Sequence, residues 1–322
     1  MASVRGVVGL LLALPSVSVM LSSPAALKSG FRGDGHEWTR NQYGEVRQVM
    51  KNYYDVQYTG EIKVGGQPIK AIIDTGSFEL LAFSVNCSLC GTRPHLYNGA
   101  ESSHHKTSGF EKMHSYGSGT TDSVESFDDL QIGPLKLFKQ VFWEVYSANM
   151  DILREDSFAS IFGVGPPTSA AKFAEADVAE LNEQLKRLTE QGTEITQEMM
   201  DIIESYKQQA KHAWHATSVV EHLGLHSLSI CMGKQTATNG YVIWNDTAPS
   251  RQSKKFLTID VVGDTYWSAN MSSVKLSSSF GDKSEELIGC EDQCSAIIDS
   301  GTSLIAAPSD VVEKINDIIA RW

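Results

Sequence analysis

Short apolar runs punctuated by glycine fill two long regions of the chain, and this pattern predicts β-strands. Gly65 and Gly66 separate the first two runs, where a hairpin turn is expected. The runs fall at residues 58–64, 69–73, 80–83, 137–145, 228–232, 241–244, 256–262 and 296–298. A helix is predicted over 309–321, directly after a proline. The sequence therefore predicts a mainly β fold.

Helical periodicity replaces the β pattern between residues 170 and 216. Apolar residues recur at spacings of three and four over 174–188 and again over 199–210, as they do on one face of a helix. Gly192 is typical of a helix end and Thr196 of an N-cap. We predict a helical hairpin inserted into the β region. It is either a surface insertion that packs on itself or an element that gates substrate or binds a partner.

The first 26 residues resemble a secretory signal peptide, with Arg5 followed by a short apolar stretch and small residues. The alternative is a membrane anchor. The apolar stretch from Gly6 to Leu21 has 16 residues and contains Pro15, which is short for a span. No later segment is apolar enough to cross a bilayer, so we expect no stable membrane span.

Charge narrows the classes of partner. The chain carries 27 basic and 39 acidic residues, a formal net charge of −12. Up to Lys51 there are six basic and three acidic residues, so the remainder holds 21 and 36, or −15. Such an acidic surface repels phosphate backbones, so nucleic-acid binding is not expected.

The five cysteines form two close pairs, 87/90 and 290/294, plus Cys231 in an apolar run. Two disulfides and a buried thiol would fit an oxidising compartment. The alternative is a four-thiolate zinc site, although about 200 residues separate the pairs. Glycosylation sequons begin at Asn86, Asn245 and Asn270.

One internal repeat carries candidate chemistry. Ala71-Ile-Ile-Asp-Thr-Gly-Ser77 matches Ala296-Ile-Ile-Asp-Ser-Gly-Thr302. Two such turns can bring Asp74 and Asp299 together, and like charges that close share one proton at acidic pH. The ionised acid can then activate a water while the protonated acid polarises a peptide carbonyl. The hydroxyl residues and glycines of both turns (Thr75, Gly76, Ser77, Ser300, Gly301 and Thr302) are candidates for supporting the pair.

These residues resemble the pepsin-like, cathepsin-D-like family of aspartic proteases, and the similarity runs from Asn52 to the end apart from the helical hairpin. The resemblance implies a bilobal pepsin-like fold, disulfides Cys87–Cys90 and Cys290–Cys294, and a mobile flap. In that comparison Tyr116, Gly117 and Ser118 form the flap, and Ile72 and Ile161 line the substrate pocket. It implies no cofactor or metal, a monomer, and peptide or protein substrates.

The sequence predicts a signal peptide over residues 1–26. The resemblance adds a pro-segment over 27–51, with a plain linker as the alternative, an N-terminal lobe over 52–245 with the hairpin at 170–216, and a partial C-terminal lobe over 246–322. A basic pro-segment suits an electrostatic lid over an acidic cleft.

The sequence departs from the family in three places besides the hairpin. Only 23 residues follow Asp299, so the strand expected behind the second turn is missing, either because the record is truncated or because the chain is a degenerate copy. Leu81 replaces a tryptophan that pairs with the flap tyrosine. Ala159 and Ser160 replace an Asp-Gly pair.

The leading hypothesis is an endopeptidase of the secretory pathway, secreted or held in an acidic lysosome- or vacuole-like compartment. It would cleave between bulky apolar residues. The alternatives are a non-catalytic homologue that binds peptides or proteins and, less favoured, a lobe that pairs with a second chain. We expect His104, His105, His212 and His215 to be surface residues.

Overall fold

The computed structural model describes residues 9–13, 16–20, 37–90, 95–155, 158–233, 235–277 and 285–321, with only the backbone described for 9–13, 16–20 and 154–155. Strands dominate these residues, which confirms the mainly β prediction. In chain order the strands are β1 (Gly9–Ala13), β2 (Ser16–Met20), β3 (Trp38–Arg40), β4 (Val46–Tyr53), β5 (Gln57–Val64), β6 (Gln67–Asp74), β7 (Leu80–Ser88), β8 (Lys106–Tyr116), β9 (Gly119–Ile132), β10 (Leu135–Met150), β11 (Ser160–Gly163), β12 (Ser227–Cys231), β13 (Gly240–Trp244), β14 (Phe256–Asp260), β15 (Ser268–Met271), β16 (Val274–Ser277), β17 (Glu285–Gly289) and β18 (Cys294–Ile297).

The helices are α1 (Ser169–Glu190), α2 (Gln197–Ala213), α3 (Val219–His222), α4 (Ala248–Arg251) and α5 (Ser309–Arg321). Helices α1 and α2 form the predicted inserted hairpin. Gly192 follows α1 with a φ of +77°, a left-handed conformation that glycine adopts without strain. The Thr196 side chain accepts a hydrogen bond from the Met199 N–H, so it caps α2 as predicted.

One large mixed sheet runs through most of the described residues, in the order β14-β2-β1-β12-β13-β4-β5-β6-β11-β7-β10-β9-β8. Strand β6 lies near its middle, antiparallel to β5 and parallel to β11. The hairpin turn between β5 and β6 is made by Gly65 and Gly66, both with positive φ. Because β6 is paired on both sides, its last residue, Asp74, has a fixed position.

Two apolar clusters lie on opposite faces of the β6 region. Ile73 and Phe162 belong to the larger cluster, which includes Trp244. Ile72 and Ile161 belong to the second cluster, against which the partly buried Tyr116 packs. Alternate residues of β6 and β11 therefore fill different cores, as the two-residue period of a strand requires.

The C-terminal region has much less sheet. Strands β15 and β18 form one two-stranded sheet, β16 and β17 form another, and α5 packs against β17. This region corresponds to the second lobe of a pepsin-like bilobal fold.

About half of residues 1–51, to which the N-terminal predictions refer, lie outside the described residues, which omit 1–8, 14–15 and 21–36. The signal peptide over 1–26 and the pro-segment over 27–51 therefore stay predictions. Strands β1 and β2 pair with β12 and β14 in the large sheet. The proposed boundary at residue 51 falls within β4, whose Val46 and Met50 are buried in the larger cluster.

The cysteines form disulfides Cys87–Cys90 and Cys290–Cys294, and Cys231 is a buried free thiol. In the parts of the chain that the structure describes, no helix combines the length and apolar character needed to cross a bilayer. The sequon residues Asn86 and Asn270 are exposed, whereas Asn245 is half-buried, and its Oδ1 accepts a hydrogen bond from the His226 N–H at 2.9 Å. Their glycosylation stays a prediction.

Candidate active site

The two halves of the internal repeat meet face to face. Asp74 ends β6, and Asp299 lies two residues beyond β18. The backbones approach so closely that a Cβ on Gly76 would lie 2.5 Å from Cγ of Asp299, and one on Gly301 would lie 2.3 Å from Oδ1 of Asp74. Only glycine fits at these two positions, because real Cβ atoms do not approach other atoms so closely.

Thr75 and Ser300 lock the two loops together with reciprocal hydrogen bonds. The Thr75 hydroxyl accepts from the Ser300 N–H at 2.8 Å and donates to the carbonyl of Ile298 at 2.7 Å. The Ser300 hydroxyl accepts from the Thr75 N–H at 3.1 Å and donates to the carbonyl of Ile73 at 2.6 Å. Each side chain thus satisfies two backbone groups of the opposite loop.

Further hydrogen bonds orient each carboxylate. Oδ1 of Asp74 accepts from the Gly76 N–H at 2.9 Å, and Oδ1 of Asp299 accepts from the Gly301 N–H at 2.7 Å. The Thr302 hydroxyl donates to Oδ2 of Asp299. The buried Ser77 hydroxyl lies beside Asp74 and lowers its pKa, but its geometry falls short of a hydrogen bond.

Burial and the charge of Asp299 raise the pKa of Asp74 to about 7. Burial is the larger cause, since Asp74 is 7 % exposed. The hydrogen bonds from the Gly76 N–H and the influence of Ser77 oppose the shift without cancelling it. A pair of facing acids with one raised pKa holds a proton where an isolated aspartate would have lost it.

Strand β11 supports the Asp74 loop from behind. The N–H groups of Val164 and Gly165 donate to the carbonyls of Asp74 and Ser77 at 2.8 and 2.9 Å. A Cβ on Gly163 would lie 2.5 Å from the backbone N of Glu79. Ser160, one of the two departures before this strand, donates its hydroxyl to the carbonyl of Leu81 at 2.6 Å inside the sheet.

The predicted flap is the hairpin of β8 and β9, with Gly117 and Ser118 at its turn. Tyr116 packs beside the second apolar cluster, to which the buried residues Ile72 and Ile161 belong. These two isoleucines pair across β6 and β11. Burial raises the pKa of Tyr116 well above its ordinary value, and the charges of Asp74 and Glu79 add to this shift. Tyr116 therefore lies close enough to Asp74 for the two groups to interact electrostatically.

Comparison with known proteins identifies the family. The model of the eukaryotic aspartyl protease family matches residues 57–202 and 205–321. The chain belongs to the eukaryotic aspartyl protease family. Among similar proteins are cathepsin D of Clupea harengus, 27% identical over 84% of this chain, pepsin A of Canis lupus familiaris, 25% identical over 84%, and cathepsin E of Aquarana catesbeiana, 24% identical over 84%. The chain spans about 60% of the length of these relatives.

One departure from the aspartyl protease pattern surrounds Leu81. Leu81 is fully buried and pairs with Trp143 of β10. The indole N–H of Trp143 donates to Oε1 of Glu79 at 2.9 Å. Glu79 and Trp143, with their neighbours Lys112 and His114, were not predicted from the sequence. The available signal was the alternation of Lys112, His114 and Tyr116, which places all three on one face of β8.

The inserted hairpin contacts both the acid loop and the flap. Phe173 of α1 packs against Phe78 and Tyr266, with ring centroids 5.7 and 6.2 Å apart. His212 of α2 stacks on Phe110 of β8 at 4.3 Å, and its Nε2 lies 2.6 Å from Oε1 of Glu125 in β9. The insertion is therefore not solvated on all sides.

The four histidines predicted to be surface residues differ in exposure: His104 and His215 are exposed, whereas His105 and His212 are half-buried. His212 is docked on the flap strands as described, and the Nε2 of His105 lies 2.9 Å from Oε2 of Glu144. Neither carboxylate partner was predictable from a local pattern, because Glu144 and Glu125 lie 39 and 87 residues away along the chain. His104 is exposed as expected, and its Nδ1 lies 2.7 Å from Oδ2 of Asp129.

The described part of the chain contains a group of side chains with the spacing of metal ligands. It consists of His104, Asp128 and Asp129, whose potential ligand atoms lie within 4.8 Å of one another. Asp128 is already engaged, since its carboxylate accepts from the hydroxyls of Tyr97 and Ser102 at 2.6 and 2.9 Å. These bonds account for the buried carboxylate without an ion.

Proposed function

We propose that the protein is an aspartic endopeptidase that hydrolyses peptide bonds at acidic pH with Asp74 and Asp299. The observation that carries the proposal is the mutual approach of the two carboxylates, with a raised pKa at Asp74. Membership of the aspartyl protease family supports it.

The chemistry requires one proton on the pair. We assign that proton to Asp74, because burial and the facing charge raise its pKa. The ionised Asp299 accepts a proton from a water, whose oxygen forms a bond to the carbonyl carbon of the peptide, while Asp74 protonates the carbonyl oxygen. The tetrahedral product then loses its amine as the C–N bond breaks, with the proton from Asp299 passing to nitrogen. A carboxylic acid and an amine are released, and Asp74 regains its proton.

Substrates in this proposal are extended peptides with bulky apolar residues at the cleaved bond. Tyr116 and the apolar cluster behind it, with Ile72 and Ile161, form the neighbouring apolar surface. Gly117 and Ser118 at the turn of β8 and β9 complete the flap. No cofactor is needed for this chemistry.

The two disulfides support maturation in the secretory pathway, where such bonds persist. We propose a secreted protein or one of an acidic lysosome- or vacuole-like compartment. The processing scheme follows the division given above, with a signal peptide at 1–26 and a pro-segment at 27–51. We propose that the protein acts as a monomer.

The decisive experiment compares Asp74→Asn with the wild type on a quenched fluorescent peptide at acidic pH. The matched control is Asp292→Asn, which removes an exposed carboxylate of the C-terminal region. We expect wild type and control to cleave, pepstatin to block them, and Asp74→Asn to lose at least about a thousandfold in kcat/KM. Equal cleavage by Asp74→Asn would overturn the proposal. Tight pepstatin binding by a wild type that does not cleave would favour the non-catalytic, peptide-binding alternative.

A further inference from the structure

Strand β8 presents a polar row toward the acid loop. Lys112, His114 and Tyr116 alternate with Glu111, Met113 and Ser115, which are exposed. The inward row begins with two cationic or titratable side chains and ends with the flap tyrosine. Burying such groups is costly unless a partner of opposite charge meets them.

Glu79 is that partner. Its Oε2 accepts from Nζ of Lys112 at 2.7 Å and lies 3.0 Å from Nε2 of His114. Its Oε1 accepts from the Trp143 indole at 2.9 Å. The rings of His114 and Trp143 also meet edge to face, with centroids 5.1 Å apart. One carboxylate thus joins strands β8 and β10.

The backbone of Glu79 belongs to the loop that carries the acid. Glu79 lies five residues after Asp74, and its carbonyl accepts from the Gly163 N–H of β11 at 3.0 Å. A Cβ on Gly163 would collide with the backbone of Phe78 and Glu79. The position of the carboxylate is therefore tied to the position of the Asp74 loop.

The charge of Glu79 persists in acid. Burial alone would raise the pKa of this carboxyl, but Lys112 and then His114 outweigh it and hold the pKa well below its ordinary value. The side chain is 19 % exposed, so water screens the cluster weakly. The link between the loop and β8 therefore survives at the pH where the acid pair holds its proton.

We propose that Glu79 is a positioning residue that fixes the flap, and with it Tyr116, over Asp74 and Asp299. The expected effect of this link on peptide cleavage rests on the proposed function. Leu81 has no hydrogen-bond donor for the flap tyrosine, and the nearby Trp143 directs its indole to Glu79 instead. The carboxylate holds the flap two residues before Tyr116, through His114.

The competing explanation is that Glu79 stabilises the lobe without any effect on the flap. Glu144 provides a matched control for it. Glu144 pairs with His105 at 2.9 Å in a similarly enclosed setting, with side-chain exposures of 13 and 22 %. Its partner His105 directly precedes β8, at the end of that strand remote from the turn at Gly117 and Ser118. Both Glu→Gln variants remove one enclosed charge from the same lobe.

The test measures hydrogen exchange by mass spectrometry across residues 112–121 in wild type, Glu79→Gln and Glu144→Gln. We expect exchange there to accelerate at least about tenfold in Glu79→Gln and to stay near wild type in Glu144→Gln, because only the first variant releases His114 and Lys112. Unchanged exchange in Glu79→Gln would overturn the proposal, as would equal acceleration in both variants. If Glu79→Gln does not fold, His114→Gln tests the same link from the flap side with the same readout.

Peptide cleavage separates this proposal from the function on which it rests. We expect kcat/KM to fall at least about tenfold in Glu79→Gln and less than about threefold in Glu144→Gln. If the wild type cleaves and Glu79→Gln cleaves equally well, the positioning role is wrong and the proposed function stands. If the wild type does not cleave but the exchange contrast holds, the link to the flap stands and the proposed function fails.

Discussion

The Asp74 and Asp299 loops have nearly the same sequence but very different surroundings. The Asp74 loop follows a strand paired on both sides, and Thr75 within it is completely buried. Asp299 follows β18, which among the described strands pairs with β15 alone. Leu304 and Ile305, just beyond it, are 83 and 89 % exposed.

The contacts that hold the Asp299 loop come largely from the first lobe. Thr75 binds Ile298 and Ser300, and the Ser303 hydroxyl donates to the carbonyl of Val56 at 2.6 Å. Trp267 connects the two loops. Its backbone carbonyl accepts a hydrogen bond from the Ile298 N–H, and its indole N–H donates to the carbonyl of Val164, behind the Asp74 loop, at 2.9 Å. A short motif therefore sets the local turn, while its rigidity depends on the sheet around it.

The largest expected difference is in stability. Phe162→Ala removes a fully buried ring behind the Asp74 loop and should lower the free energy of unfolding by about 3–5 kcal/mol. Ile305→Ala removes an exposed side chain and should change it by less than about 0.5 kcal/mol. Urea denaturation measures both. Similar losses would show that the two loops are equally well packed.

Next in size is the effect of widening the gap between the loops. Gly76→Ala and Gly301→Ala each place a Cβ within 2.5 Å of the opposite carboxylate. We expect the Asp299 loop to move away from the Asp74 loop in both variants, because fewer strands pair beside it. We expect kcat/KM to fall at least about a hundredfold, or about 2.7 kcal/mol.

Gly289→Ala is the control for the glycine variants, since its Cβ would meet only an ordinary contact with Val311 at 3.5 Å. Circular dichroism should show that Gly76→Ala and Gly301→Ala keep a folded first lobe. Full activity in either variant would contradict the close approach of the loops.

A smaller effect is expected from removing one cross-link between the loops. Thr75→Val keeps the shape of the side chain but leaves the Ser300 N–H and the Ile298 carbonyl without partners, which costs about 1–3 kcal/mol. Proteolysis within 298–305 should become faster, as measured by mass spectrometry. Thr121→Val is the stability control, because the buried Thr121 hydroxyl has no hydrogen-bond partner. Equal susceptibility of the two variants would show that the cross-link does not hold the second loop.

A separate expected effect is on the pH dependence of stability. Asp74 binds its proton more tightly in the folded state, because burial and Asp299 raise its pKa to about 7. Its contribution to stability is therefore complete below the pKa of the unfolded chain and is lost as pH rises through about 7. The urea concentration at the denaturation midpoint should fall between about pH 4 and pH 8 in the wild type. This fall should be smaller in Asp74→Asn and unchanged in Asp292→Asn. An unchanged slope in Asp74→Asn would contradict the raised pKa.

The sequence by itself determined the local elements and the meeting of the acid loops. The strand runs, Gly65-Gly66, the Thr196 cap and the helical hairpin are consequences of patterns within a few residues. The repeated turn around Asp74 and Asp299 also predicted that the two loops meet. In the structure the hydroxyl of each loop bonds the backbone of the other, and the glycine of each loop leaves room for the opposite aspartate. The domain boundaries and the residue roles at the site stay predictions.

Tertiary structure alone decided how the site is supported. Glu79 meets Lys112 and Trp143 from positions 33 and 64 residues away, and His212 meets Glu125 from 87 residues away. No short pattern encodes such pairs, since they depend on which strands become neighbours in the sheet. The unequal burial of the two loops has the same origin, because a strand's environment is set by the partners that pair with it.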